Sequence, residues 1–470
     1  MKVILKIVSK IILVIIIALS ISIYFAIVFS PDSKNIKTEF QSIPKDSLDM
    51  VIFGSSHTQY GINPAVIYSD SGYYAYVNGS PCQPMEVSYQ MLRETLKTQK
   101  PKVVLVDVFT MLPAQSVCHA NFIYKAAADH MSGMEKINTI LSVPDKKTAF
   151  DYLFPIRMYH QRWTEIENKD FVVENKDVNY DNFGYINLPP KEYVFKYLES
   201  KQKDKSYVLK YKDIKALDDI KKLCDKNGID LLLIKTPFDI DQENYDTLME
   251  VWNYARKHNI KYVDLIEASK EMDFAFGLDS ETWHNTNFGA YKNSKYLSKY
   301  LKDNYKFDHK KNEEIEENMS KLSSSTLFSL LFNVSDPYKV LQYASEYDCT
   351  MILKYNGYLK TSIKKYENEL LNSVGFKNDF INNRNVNYYA VVKNGQLINS
   401  DDKQLDVNVG GKNIVVDKKG ISINNETMDN TDGELTLVVY ANDFSWHVEM
   451  NIDYSTKWFW KKGCDGWVCK

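Results

Sequence analysis

A chain of 470 residues exceeds what one hydrophobic core usually serves, so the length predicts two or three folded units. A formal net charge of -3 offers no strongly basic surface, so no nucleic-acid partner is expected. The 6 cysteines form no CxxC pair and the 8 histidines are scattered, so neither a metal site nor another cofactor is expected. Cys464 and Cys469 are close enough in sequence to form a disulfide outside the cytoplasm.

The N-terminal segment is typical of a membrane anchor. Residues 11–29 are uncharged and mainly apolar, and a helix of this length rises about 28 Å, close to the roughly 30 Å hydrocarbon core. Lysines precede this run, which predicts that the N-terminus is cytoplasmic and the rest of the chain extracytoplasmic. A cleaved signal peptide is the alternative, but residues 26–30 lack a small-x-small cleavage site. We therefore expect residues 1–30 to be an uncleaved single-pass anchor in the cell membrane.

Alternating apolar strands and amphipathic helices predict an α/β unit at residues 31–305. Because the order is repeatedly β-α-β, a parallel sheet covered by helices is expected. The segments predicted as strands are 50–53, 74–77, 103–108, 230–234 and 262–266, and the predicted helices are 86–98, 217–227, 245–258 and 290–302.

A turn with a candidate nucleophile follows the first predicted strand. The apolar run ends at Gly54, which can adopt the backbone angles of a sharp turn, and Ser55, Ser56 and His57 come next. Ligands bind α/β sheets at the carboxyl ends of their strands, where these serines are expected. Backbone N–H groups that stabilise an oxyanion would come from Ser56 and from the loop at residues 79–82.

A candidate base lies much later in the chain, in a polar loop before the last predicted helix. His284 follows Asp279 and Glu281 in this loop. Histidine can take the proton of a serine hydroxyl, and a carboxylate can hold its other ring nitrogen. Ser56, His284 and either Glu281 or Asp279 therefore predict a nucleophile, base and orienting acid.

An aromatic and basic cluster interrupts the pattern at residues 154–163. It lies in a long insertion between predicted strands, and such insertions are usually functional. The cluster either packs on the sheet as a lid or lines the substrate cleft. In the second case, His160, Arg162 and Trp163 would bind substrate together with His57.

The C-terminal third differs in pattern from the α/β unit. Residues 306–330 are charged and serine-rich, which indicates an interdomain linker, and residues 331–470 are expected to form a mostly-β domain. No Ser-His-acid set occurs in that domain, so binding is expected there rather than catalysis. Its predicted strands are 388–393, 412–417, 434–440 and 447–452, and helices are predicted near 338–347 and 359–373.

Residues 50–301 resemble the SGNH/GDSL hydrolase superfamily, nearest to its membrane-anchored bacterial branch. That branch is associated with O-acetylation of cell-surface polysaccharide and is akin to the D-alanyl-transfer protein of teichoic acids. The first family block falls on Gly54 to Ser56 and makes Ser56, rather than Ser55, the nucleophile. The last block, Asp-x-x-His, falls on Glu281 and His284, so glutamate replaces the usual aspartate, or Asp279 serves at a longer spacing.

The other two family blocks are altered. The glycine that donates to the oxyanion in the second block falls on Cys82, with Gly79 three residues earlier. The third block, Gly-x-Asn-Asp, is absent after residues 103–108, as it is in the anchored transferase branch. Near the C-terminus, residues 387–395 and 433–440 resemble the β-sandwich domain of interleukin-like EMT inducers, which implies carbohydrate binding.

Together these features predict a membrane-anchored serine acyltransferase that O-acetylates a cell-surface polysaccharide. Its partners would be the polysaccharide acceptor and a membrane acyltransferase that supplies the acyl group. A carbohydrate O-acetyl esterase and a catalytically silent glycan-binding scaffold are the alternatives.

Overall fold

The chain divides into two compact units. The first comprises Met1–Ile67, Tyr73–Leu188 and Glu192–Ile315, and the second Tyr68–Gly72, Pro189–Lys191 and Glu316–Lys470. This computed structural model describes residues 2–29, 39–115, 119–154, 156–172, 180–190, 196–197, 199–281, 283–308, 311–334, 337–357, 365–428, 431, 435–453 and 458–465.

A five-stranded parallel sheet organises the first unit. The spatial order is β2-β1-β3-β5-β6, and every neighbouring pair is parallel. Four of these strands are almost wholly buried, which explains why their sequences are mainly apolar rather than alternating. The strands are β1 (Met50–Gly54), β2 (Ala75–Gly79), β3 (Val103–Asp107), β5 (Asp230–Lys235) and β6 (Lys261–Asp264), with a separate antiparallel pair of β4 (Lys196–Tyr197) and β7 (Ala275–Phe276).

Helices cover the sheet as the sequence predicts. One core cluster joins Ile52 and Leu105 of the sheet to Leu297 of the last covering helix. The helices are α1 (Lys2–Phe29), α2 (Glu39–Ser42), α3 (Ser56–Gly61), α4 (Pro64–Ser71), α5 (Met85–Thr95), α6 (Ala120–His130), α7 (Gly133–Leu141), α8 (Lys146–Leu153), α9 (Ile156–Tyr159), α10 (Tyr211–Asn227), α11 (Gln242–Lys257) and α12 (Asn287–Asn304), with 3₁₀ turns at Phe109–Met111, Pro113–Gln115, His160–Thr164, Asn168–Phe171 and Glu267–Ser269.

The N-terminal helix α1 is long and apolar enough to cross a membrane. Its segment Ile4–Ala26 is 23 residues long with a mean hydropathy of 2.7. None of its most apolar window is buried within the protein, which distinguishes it from the core helices. The expected apolar helix is therefore confirmed, while its orientation in the membrane stays a prediction.

Two antiparallel sheets form most of the second unit, as the mostly-β expectation requires. Their orders are β10-β9-β8-β15-β16-β17 and β11-β12-β13-β14. Side chains of both sheets, among them Val391 and Ile414, join one hydrophobic cluster. The strands are β8 (Cys349–Tyr355), β9 (Tyr388–Lys393), β10 (Gln396–Asp401), β11 (Gln404–Val409), β12 (Lys412–Asp417), β13 (Gly420–Ile423), β14 (Glu426–Thr427), β15 (Leu435–Ala441), β16 (Trp446–Asp453) and β17 (Trp458–Asp465).

The structure differs from the linker expected at residues 306–330. A helix, α13 (Glu313–Phe332), occupies most of this segment, followed by α14 (Pro337–Ser345) and α15 (Lys365–Ser373). Buried Ile315, Met319 and Leu322 recur at helical spacing along α13. The charged residues between them hid this period in the sequence. The boundary of the two compact units falls at the start of this helix, at Ile315.

Three cysteines in the described part of the chain are free thiols. Cys224 and Cys349 are buried and Cys82 is partly exposed, and all three are free. Cys118 and Cys469 lie outside the described residues, so the expected Cys464–Cys469 disulfide does too.

Candidate active site

The two serines after β1 have different surroundings. Ser55 is buried and is the N-cap of α3, where its Oγ accepts a hydrogen bond from the backbone N–H of His57 at 3.3 Å. Ser56 begins α3 and is partly exposed. At the first helical position its backbone N–H has no intrahelical partner. Ser55 therefore stabilises the turn, and Ser56 is the more exposed of the two serines.

Gly54 is needed for space rather than for turn geometry. It continues β1 and has no positive φ, which corrects the expectation that its conformational freedom makes the turn. A Cβ on Gly54 would lie 2.6 Å from Thr58 Cγ2 and 3.0 Å from Asp107 Cβ. The absent side chain thus lets α3 pack closely against the carboxyl ends of β1 and β3.

His284 contacts Ser56 directly. Its Nε2 lies 2.9 Å from Ser56 Oγ, although the two residues are 228 positions apart in sequence. The carbonyl of His284 accepts from the backbone N–H of Glu281 at 2.9 Å and from Ser280 Oγ at 3.0 Å. These bonds fix the loop that carries the imidazole. The expected pairing of serine and histidine is therefore present in the geometry.

Helix α12 holds this loop against the sheet. Asn293 Nδ2 donates to Asn285 Oδ1 at 2.9 Å and to the carbonyl of Gly61 at 3.1 Å, so it bridges the His284 loop and α3. Gly289 allows the close approach of α12, because a Cβ there would lie 1.9 Å from the carbonyl oxygen of Asp279. The glycine of the last sequence block thus has a packing role.

The two candidate acids lie in different environments. Asp279 is buried, accepts from Lys292 Nζ at 2.7 Å and accepts from the backbone N–H of Ala275 at 2.7 Å. Glu281 interacts electrostatically with His284, since its charge raises the pKa of the imidazole. The contacts of Asp279 therefore stabilise the loop, and the charge of Glu281 favours the protonated form of His284.

Burial has the larger effect on the imidazole. Desolvation lowers the pKa of His284 below its ordinary value, and the opposing effect of Glu281 only partly offsets this. The ring is consequently neutral at neutral pH and can accept a proton from Ser56. Tyr60 packs beside it, with ring centroids 4.7 Å apart.

A buried charged network lies beside this pair. Lys235 and Asp107, at the carboxyl ends of the adjacent strands β5 and β3, are 0% and 1% exposed, and Lys235 Nζ lies 3.4 Å from Asp107 Oδ2. The ammonium also donates to the carbonyl of Thr236 at 2.7 Å and lies 3.4 Å from His57 Nδ1. Asp107 Oδ2 accepts from the Thr236 N–H at 3.1 Å, and Oδ1 accepts from the Phe109 N–H at 2.8 Å.

This network fixes the state of His57. Burial, followed by the positive charge of Lys235, holds the pKa of His57 well below its ordinary value, so the ring is neutral. Burial lowers the pKa of Lys235, and the charge of Asp107 opposes this effect. While Lys235 is protonated it can only donate, so Nδ1 of His57 then accepts and the ring proton lies on Nε2. His57 stacks on Phe109 with centroids 3.5 Å apart and lies 5.7 Å from the ring of His284. It is therefore a buried neighbour of the Ser56–His284 pair.

The sequence interpretation did not single out Lys235 or Asp107. A signal was available, because each is a charged residue that ends a run of buried apolar residues in a parallel strand. Charged side chains at the carboxyl ends of parallel strands lie where α/β sheets bind their ligands. Their adjacency depends on the strand order, in which β3 and β5 pair directly.

The loop that follows β2, next to the turn after β1, forms a tight turn at Ser80–Gln83. Its Ser80 N–H donates to the carbonyl of Gly54 at 3.2 Å, so that amide is already occupied. The Gln83 N–H returns to the carbonyl of Ser80 at 3.2 Å, and Cys82 has a φ of 53°. Proline followed by a residue with positive φ is the pattern of a type II turn, in which glycine is favoured at the Cys82 position. Gly79 ends β2 beside Gly54.

The aromatic and basic cluster contacts the end of α1. Arg162 Nη1 donates to the carbonyl of Phe29 at the end of α1, and His160 Nδ1 lies 2.8 Å from the carbonyl of Arg157. Trp163 is 69% exposed. Across the described parts of the chain, no hydrogen bond, ion pair or ring contact joins His160, Arg162 or Trp163 to the Ser56–His284 pair.

Fold and site define an α/β unit with a serine and histidine paired at the carboxyl edge of a parallel sheet. Within the described residues, no group of three or more His, Cys, Asp or Glu side chains could hold a metal ion. The chain matches no protein-family model and no curated protein.

Proposed function

We propose that this protein is a membrane-anchored serine acyltransferase that O-acetylates a cell-surface polysaccharide, with an SGNH-like catalytic unit outside the membrane. The observation that carries the proposal is the 2.9 Å contact between Ser56 Oγ and His284 Nε2 in a partly exposed position at the edge of the sheet. A neutral, half-buried imidazole in hydrogen-bond contact with a hydroxyl is the arrangement that nucleophilic acyl transfer requires.

The reaction would proceed in two balanced steps. Ser56 Oγ attacks the acyl carbonyl while His284 Nε2 takes its proton, and the leaving group departs with that proton, which leaves an ester on Ser56. A polysaccharide hydroxyl then attacks the ester carbonyl and gives its proton to His284. The bond from that carbonyl to Ser56 Oγ breaks, and His284 returns the proton to Ser56 Oγ. Glu281 stabilises the imidazolium in both steps.

Backbone amides would stabilise the oxyanion. The N–H of Ser56 is one candidate, because the first helical position has no intrahelical acceptor. The turn that contains Cys82 would supply the second, with Gly79 as the other candidate. The Ser80 amide is excluded from this role by its bond to Gly54.

The proposed reaction needs two partners, an acyl-group supplier and a glycan. An acyl donor outside the membrane has to be delivered across it, so a membrane acyltransferase would supply the acyl group. The C-terminal unit would bind glycan, which its resemblance to interleukin-like EMT inducer domains supports.

The test is acyl transfer by the full-length chain in detergent micelles. With p-nitrophenyl acetate as donor and O-deacetylated polysaccharide as acceptor, we expect an acetyl group on Ser56 and then on the polysaccharide, both detected by mass spectrometry. If the acetyl group is transferred only to water, the protein is an esterase rather than a transferase. No ester turnover with any donor, together with retained glycan binding, would replace both with the binding scaffold.

The acid is tested by its effect on pH dependence. Because the Glu281 charge raises the pKa of His284, Glu281→Gln is expected to lower that pKa further. The acidic limb of kcat/KM against pH then moves to lower pH, and the rate falls by less than in His284→Ala. Asp279→Asn is the matched control and should lower the unfolding temperature while leaving the limb in place, since Asp279 is bound to Lys292. A limb that moves only in Asp279→Asn would assign the acid to Asp279.

A further inference from the structure

The C-terminal end of α1 is held by the insertion between β3 and β5. Helix α1 contacts α9 and the 3₁₀ turns His160–Thr164 and Asn168–Phe171. Arg162 Nη1 donates to the carbonyl of Phe29 at 2.6 Å, and Nη2 lies 3.7 Å from the buried Asp170. The last carbonyls of a helix lack intrahelical partners and carry partial negative charge, so Arg162 caps α1 and joins it to the insertion.

This junction sets the depth of the insertion. The apolar segment of α1 ends at Ala26, and Phe29 lies three residues further on, a rise of about 4.5 Å. The headgroup layer of a bilayer extends roughly 5–7 Å beyond each side of its hydrocarbon core. If α1 crosses the membrane, the elements in contact with its end therefore lie at headgroup level.

Large apolar side chains are exposed on these 3₁₀ turns and next to them in the chain. Trp163 is 69% exposed, Phe171 49% and Val172 56%, and Phe150 on the preceding α8 is 49% exposed. Phe150 also contacts Phe154, with ring centroids 4.7 Å apart. Tryptophan and other aromatic side chains favour the membrane–water interface, where the apolar ring leaves water and a polar group can remain hydrated.

We propose that Phe150, Trp163, Phe171 and Val172, here called the anchor-proximal surface, bind the lipid bilayer that α1 crosses. The occupant is lipid at the boundary of headgroups and acyl chains, because the 3₁₀ turns that carry Trp163 and Phe171 contact the membrane helix. Contact at this second point holds the catalytic unit at a fixed height and tilt, which α1 alone would not do. The inference rests on α1 lying in the bilayer and is independent of the proposed acyl transfer.

Tryptophan fluorescence tests this contact without interference from the anchor. The chain has 7 tryptophans, the first of which is Trp163, so any tryptophan that lipid quenches lies outside α1. The full-length protein is reconstituted into phosphatidylcholine vesicles whose acyl chains carry bromine just below the headgroups. We expect strong quenching relative to unbrominated vesicles, and we expect Trp163→Phe to lose most of it.

Trp283→Phe is the matched control. Trp283 is 47% exposed in the same unit but lies in the His284 loop, so its replacement should leave the bromine quenching unchanged. Vesicle flotation establishes that each variant is membrane-bound. Equal quenching in Trp163→Phe and wild type would overturn the proposal. Absence of quenching in floated wild type would overturn it too, and failure of the wild type to float would overturn its premise.

Discussion

Ser56→Ala is expected to lower acyl-ester turnover by roughly 10⁴-fold or more, since it removes the atom that forms the covalent intermediate. His284→Ala should cost about as much, because without the base the hydroxyl in contact with Nε2 stays protonated. The double variant should be no slower than either single variant, since nucleophile and base act as one device. Steady-state rates of the full-length variants in micelles measure these effects.

Ser55→Ala is the control for this result. Its hydroxyl caps α3 by accepting from the His57 amide, so its loss should cost about 1 kcal/mol of stability and leave the Ser56–His284 contact in place. Turnover near wild type is therefore expected. A Ser55→Ala variant that is inactive beside an active Ser56→Ala variant would move the nucleophile by one residue.

Lys235→Met is expected to lower the free energy of unfolding by about 3–5 kcal/mol, because it leaves the Asp107 carboxylate buried without its cation. The unfolding entropy is about 2.1 cal/mol/K per residue, so in the first unit 1 kcal/mol shifts the unfolding midpoint by about 1.5 °C. A fall of roughly 5–8 °C is therefore expected. Activity should fall as well, since His57 loses its contact with Lys235 beside the Ser56–His284 pair. Thermal unfolding followed by circular dichroism measures the first effect.

Two controls distinguish the loss of the Lys235–Asp107 interaction from the effect of removing any lysine. Lys222→Met removes an exposed lysine of α10 and should change stability by less than about 0.5 kcal/mol. Combining Lys235→Met with Asp107→Asn should cost less than the sum of the single changes, because no uncompensated charge is then buried. Strict additivity would contradict a direct interaction between the two side chains.

Local sequence was sufficient to locate the strands of the parallel sheet. Residues 50–53, 103–106 and 231–234 are continuous apolar runs, and a strand buried on both faces admits little else. Helix α13 was missed for the opposite reason. Its buried Ile315, Met319 and Leu322 are isolated between charged residues, so composition suggested a linker while the spacing was helical.

Sequence also singled out Ser56 as a candidate nucleophile and His284 as a candidate base. Both lie in short motifs, a serine after a strand-ending glycine and a histidine after carboxylates. It left the choice between Glu281 and Asp279 open, since both lie within reach of His284 along the chain. In the tertiary structure Asp279 binds Lys292 on α12, whereas Glu281 acts on His284 electrostatically. That contact depends on how α12 packs on the loop, which no local pattern encodes.

The sequence by itself determined the apolar N-terminal helix, the β-α-β order and the two halves of the serine–histidine pair, all of which follow from local composition and spacing. Only the tertiary structure decided that Lys235 and Asp107 meet beside His57, because β3 and β5 are distant in sequence and adjacent in the sheet. It likewise decided that Arg162 contacts the end of α1 rather than the Ser56–His284 pair. Contacts between distant segments are set by strand order and helix packing, and these are properties of the whole chain.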